Sequence, residues 1–173
     1  MLVDDHSLIR DGLKTLLANQ HDIVVIGSVN NGKEAVDFCQ TKAPNVILMD
    51  ISMPVMNGLE ALKKIKSINE KIKVILLSME VVEEHILTGI NNKMSGYLPK
   101  DVKKDRLIEA INRVNDGEEY FDQKVSEIIF NKFRKKELNK SHLFGKSKKL
   151  ILNILAVIFL ELIVALILWI FGL

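Results

Sequence analysis

The sequence predicts an α/β fold: a doubly wound parallel sheet with helices on both faces. Over residues 1–117, short apolar runs rich in β-branched residues alternate with stretches of helical periodicity. The runs are apolar almost throughout rather than at every second residue, which is the pattern of strands buried on both faces. At 173 residues, with 48% hydrophobic and 27% charged side chains, the chain can hold one packed domain and an appendage.

The first run is Leu2-Val3. Leu8, Ile9, Leu13, Leu16 and Leu17 then recur at helical spacing, and Ile23–Val29 reads as the second strand. Cys39 falls in the next helical pattern, where a lone cysteine reads as a small buried hydrophobe. Val46–Met49 is the third strand. Val74–Leu77 is the fourth strand, followed by helical Ile86, Leu87 and Ile90. Gly96–Leu98 is the fifth, followed by helical Leu107, Ile111 and Val114. Five such units suit the flavodoxin-like order 2-1-3-4-5, whose ligands bind beyond the carboxyl ends of the strands.

That rule selects the candidate site. Asp4 and Asp5 follow the first strand, Asp50 the third, Ser78 the fourth and Lys100 the fifth. A lone Asp after a strand is ordinarily a turn former, and a lone Lys a solvated charge. Five such groups at the same end of successive strands are not. Three carboxylates in one cleft repel one another and call for a cation. An all-oxygen donor set with room for water and phosphate suits Mg²⁺. A carboxylate beside that ion can accept a phosphoryl group, with Ser78 and Lys100 binding the oxygens that the metal does not reach.

The stretches LVDDHSLIRDGLKTLL, PNVILMDISMPVMNGLEAL, ILLSM, GYLPKD and LIEAINRVNDGEEYF resemble the receiver domain of response regulators, in the NarL/FixJ (LuxR-type) branch. The resemblance covers roughly the first two-thirds of the chain. It implies that Asp50 is the phosphoacceptor, and that Asp5, Asp50 and the Ser52 backbone carbonyl bind Mg²⁺ with help from Asp4. It further implies that Ser78 is the switch hydroxyl and that Lys100 pairs with the phosphoryl group. Tyr97 takes the place of the aromatic that swings inward, its alternative being a ring packed at a strand end. Met53, Pro54 and Gly58 shape the loop after Asp50, and His6 is read as structural. The implied partner is a sensor histidine kinase, with homodimerisation on phosphorylation and a cytoplasmic receiver.

At the front the chain departs from the pattern. Receivers of this branch carry several residues before the acid pair, and here only Met1, Leu2 and Val3 precede it. Either the true start lies upstream or the first strand is weakened, and the upstream start is the preferred expectation. The single cysteine fits a reducing compartment, and no signal peptide is visible.

Beyond the receiver (1–117), residues 118–134 read as an extension helix with Val125, Ile128, Ile129 and Phe133 on one face. Residues 135–149 form a basic linker. Residues 150–173 are apolar except for Asn153 and Glu161, which suits a transmembrane helix with the lysines holding its leading side in the cytoplasm. Glu161 at mid-span would cost about 2.5–3.5 kcal/mol, which Leu and Ile at about −0.5 kcal/mol each can outweigh. The helix-turn-helix DNA-binding domain of the branch is not legible. Codons compatible with Ala165–Ile170, read from the third base, give Ile-Asn-Thr-Val-Asp, so a frameshifted LuxR-type DNA-binding regulator is the alternative. A Mg²⁺-dependent aspartyl phosphohydrolase is disfavoured, because that chemistry wants an Asp where Ser52 stands. A membrane-anchored adaptor with a passive receiver is disfavoured by the intact acid, hydroxyl and lysine set.

Overall fold

The computed structural model describes residues 1–134 of the chain. The elements run β1 (Leu2–Val3), α1 (Ser7–Ala18), β2 (Ser28–Val29), α2 (Gly32–Thr41), β3 (Val46–Asp50), α3 (Gly58–Ile68), β4 (Lys73–Ser78), α4 (Glu83–Asn91), β5 (Gly96–Pro99), α5 (Lys104–Asn115) and β6 (Tyr120–Phe121). All strand pairings are parallel, in the order β2-β1-β3-β4-β5-β6. The sheet lies within one compact unit, Met1–Ile129.

The strands sort their side chains by parity, as the two-residue repeat of a strand requires. Val3, Ile47, Met49, Val74, Leu76 and Tyr97 pack on one face with Ala35, Val36 and Cys39 of α2, Ala61, Leu62 and Ile65 of α3, and Ile86 of α4. Leu2, Leu48, Ile75, Leu77 and Leu98 pack on the other with Leu17 of α1 and Leu107, Ala110, Ile111 and Val114 of α5. Cys39 is the buried hydrophobe its spacing predicts, and burial pushes its thiol up to about 11.

Two strand expectations are corrected. The sheet has six strands, not five: Tyr120 and Phe121 pair with Gly96 and Tyr97, and the Tyr120 amide donates to the Ser95 carbonyl at 3.0 Å. These two residues had been assigned to a helix over 118–134. The helix instead occupies residues 123–134, and the Asp122 carboxylate accepts the Val125 amide at 2.8 Å. A two-residue strand beyond the positive-φ turn at Gly117 is too short to show a period. Within the helix, Val125 is buried and Ile128 and Ile129 pack against the same core as α2 to α4.

The second correction concerns Ile23–Val29, of which only Ser28–Val29 forms a strand. Its partner β1 offers ladder positions only at Leu2 and Val3, and the Leu2 amide donates to the Gly27 carbonyl at 2.9 Å. Ile23 and Val25 still pack on the α1 and α5 face. Val24 and Ile26 are exposed, beside a groove of about 690 Å³ between residues 22–26 and 44–46. The basic linker 135–149 and the apolar stretch 150–173 lie outside the described residues. Among the described residues no helix is long and apolar enough to cross a membrane.

Candidate functional site

The carboxyl ends of β1, β3, β4 and β5 bring Asp4, Asp50, Ser78 and Lys100 to one edge of the sheet. Asp50 is the last residue of β3 and Asp4 directly follows β1, so the β1–β3 pairing sets them side by side. Both are almost fully buried, at 3% and 1% exposure. Lys100, just past β5, reaches between them, with its Nζ 2.7 Å from Asp4 Oδ2 and 2.9 Å from Asp50 Oδ2. Asp5 remains 30% exposed at the mouth.

These groups shift one another's protonation. Burial raises Asp50 above the ordinary carboxylate value, against the Lys100 hydrogen bond and charge, and the Asp4 charge adds to the rise. Burial alone would lower the Lys100 ammonium, but its hydrogen bonds and charge contacts with Asp4 and Asp50 together hold it above its ordinary value. The Ser52 amide donates to Asp50 Oδ1 at 3.3 Å, and the Arg10 guanidinium donates to the Asp4 carbonyl at 2.6 Å.

Ligand atoms of Asp4, Asp5, His6 and Asp50 lie within 4.8 Å of one another. Three carboxylates face one ammonium, so the carboxylates outnumber the cation that holds them in a largely buried cleft. Asp5 Oδ1 is closed to solvent and makes no hydrogen bond. A hard divalent cation with oxygen ligands fits this donor set and its charge.

Ser78 stands at the end of β4, and its hydroxyl is bonded to the backbone of the loop that follows. Its Oγ donates to the Glu80 carbonyl at 2.7 Å and accepts from the Glu80 amide at 3.3 Å. Tyr97 is fully buried within β5, and its hydroxyl donates to the same Glu80 carbonyl at 3.0 Å. The ring is thus inside the core while the Ser78 hydroxyl is bonded to Glu80, and one carbonyl joins the two side chains. Sequence reasoning missed that carbonyl, because any residue type supplies one. It also passed over Arg10, and it set aside His6, whose ring Nδ1 lies 2.9 Å from Asp5 Oδ1. Adjacency to the acid pair was the available signal for His6.

The loop after Asp50 is tightly drawn. The Gly58 amide donates to the Ile51 carbonyl at 2.9 Å, and a Cβ at Gly58 would collide with the Asp50 carbonyl. The Met56 amide donates to the Pro54 carbonyl at 2.7 Å, closing a γ-turn around Val55 at φ +68°. This left-handed region is strained for a β-branched residue. Val55 is 82% exposed and gains no packing in return.

Residues 1–112 match the family described as response regulator receiver domain. The chain is 31% identical over 129 residues to the nitrate/nitrite response regulator protein NarL of Escherichia coli, covering 75% of this chain and 60% of that protein. It is 35% identical over 135 residues to the transcriptional regulatory protein DegU of Brevibacillus brevis, covering 78% and 57%. The chain therefore spans about three-fifths of the length of these relatives. In fold it is similar to a LuxR-family two-component response regulator from Aurantimonas, with a TM-score of 0.71 and 23% identity over 76% of this chain and 94% of that one. The matched domain, the sheet order and the extent of the NarL and DegU likeness show that the chain belongs to the response regulator receiver family.

Proposed function

We propose that this chain is the phosphoacceptor of a two-component signalling system, phosphorylated on Asp50 by a sensor histidine kinase. The observation that carries this reading is the juxtaposition of buried Asp50 with Asp4 and Lys100 at the carboxyl edge of the sheet. An Asp50 carboxylate oxygen attacks the phosphorus of a phosphohistidine in line. The P–O bond forms as the P–N bond breaks, and the departing imidazole takes up a proton from solvent. Lys100, already against Asp50 Oδ2, stands where a phosphoryl oxygen arrives, and its positive charge is stronger in this desolvated cleft than in water. Asp4, Asp5, Asp50 and the Ser52 carbonyl would hold Mg²⁺, which would neutralise charge on the phosphoryl oxygens when bound.

The output is a shift between two arrangements. Ser78 leaves the Glu80 carbonyl to reach the phosphoryl group, which leaves Tyr97 as that carbonyl's hydroxyl donor and reshapes the surface of α4, β5 and α5 for homodimerisation or partner binding. The receiver works in the cytoplasm and catalyses only its own phosphotransfer and dephosphorylation. Attachment to the inner face of the membrane through residues 150–173 is the finer reading, resting on the apolar sequence alone. Cell fractionation of the full chain against Lys149→stop tests it, and a soluble, folded full chain would refute the anchor.

Incubation with acetyl phosphate and Mg²⁺ is expected to add one phosphoryl group, detected by intact mass, and Asp50→Asn to abolish it. Labelling that persists in Asp50→Asn places the acceptor elsewhere and ends this reading.

A further inference from the structure

His6 occupies the N-cap position of α1, yet its side chain makes no capping hydrogen bond. The corresponding residues of α2 and α3 behave otherwise: Asn31 and Asn57 each accept the amide three residues on, at 2.9 Å. The His6 ring turns back toward the acid pair instead. Its Nδ1 is 3.2 Å from Asp4 Oδ1 and 2.9 Å from Asp5 Oδ1, and its backbone amide donates to the same Asp4 oxygen at 2.9 Å. Both groups beside Nδ1 are carboxylates, which accept hydrogen bonds only, and the His6 side chain is 64% exposed. Nδ1 thus lies against Asp5 Oδ1, a solvent-closed oxygen without a hydrogen-bond partner.

We propose that His6 is a positioning residue for the divalent cation. Its N–H, set between Asp4 and Asp5, keeps Asp5 turned inward against the repulsion of its neighbours, so that the ion meets a preformed pair. Without it, Asp5 relaxes toward solvent, and binding must first bring the carboxylate back. A ligand orienter beyond the coordinating atoms is a regular feature of metal sites, and its loss typically costs about 10–100-fold in affinity. The inference rests on the reading of the acid pair as the Mg²⁺ site, and its test separates the two.

The full chain is titrated with Mg²⁺ by calorimetry and with Mn²⁺ by electron paramagnetic resonance. His6→Ala is expected to weaken both ions about tenfold. His6→Asn, whose side-chain amide can stand where Nδ1 stands, restores most of the loss. His6→Ser supplies an ordinary cap, so it raises the melting temperature of the metal-free protein while still weakening metal binding. That opposition distinguishes positioning from a general loosening of α1. Acetyl phosphate labelling of His6→Ala should recover fully at saturating Mg²⁺. Metal affinity in His6→Ala equal to or tighter than wild type overturns the inference. A wild-type chain that binds neither ion overturns the acid-pair reading beneath it.

Discussion

At the carboxyl end of the sheet, charges are buried and held by one another: Asp4 and Asp50 are almost inaccessible, and one lysine reaches both. At the amino end of β1 and β2 the opposite holds, with apolar Val24 and Ile26 at 77% and 45% exposure beside an open groove. One sheet thus hides polar groups from water at its carboxyl edge and leaves apolar groups in water near its amino edge. Polar burial at the functional pole is a cost carried for chemistry. The apolar exposure falls on residues 23–26, which lie before β2 and outside its pairing with β1.

The comparison breaks most visibly at Lys100. Lys100→Met leaves Asp4 and Asp50 buried without their counter-charge, and loss of one partner of a buried pair costs about 3 kcal/mol or more. Urea unfolding in chelator should show that loss, and saturating Mg²⁺ should recover much of it. Equal loss with and without Mg²⁺ would mean that the ion and the ammonium do not serve the same carboxylates. The next largest effect sharpens the contrast between core and groove. Val74→Ala, at a fully buried position of β4, is expected to cost about 2 kcal/mol. The same change at Val24 should stay within about 0.5 kcal/mol. A comparable cost at Val24 would show that the groove is closed in solution. The smallest effect has the opposite sign. Val55→Asn relieves a left-handed β-branched residue that packs on little, and should stabilise the chain by about 1 kcal/mol in thermal unfolding.

Much of this architecture was legible in the sequence because strands buried on both faces are apolar in long runs. Val46–Met49 and Val74–Leu77 each fell within one residue of the observed ends. Asp4, Asp5, Asp50 and Lys100 were legible for a related reason: a parallel sheet gathers whatever follows its strands at one edge. The failures have physical causes too. Ile23–Val29 has the composition of a strand, but a strand needs a partner, and pairing is not a local property. Tyr120–Phe121 is too short to carry a period. The direction of the Ser78 hydroxyl, and its sharing of the Glu80 carbonyl with Tyr97, depend on a loop whose backbone has no residue signature. The contact of the His6 ring with the acid pair was not legible either, because it depends on a rotamer rather than on residue type.

The two residues of β6 decide what can assemble on one flank of the molecule. Without them β5 would end the sheet, and the main chain around Ser95 and Tyr97 would present free hydrogen-bonding groups to any extended chain that drifted past. Tyr120 and Phe121 occupy that flank, and what lies beyond them is a strand too short to template another. Growth of fibrils or strand-swapped oligomers by addition to β5 is closed off. An extended chain arriving on this side meets β6 rather than the open edge of β5.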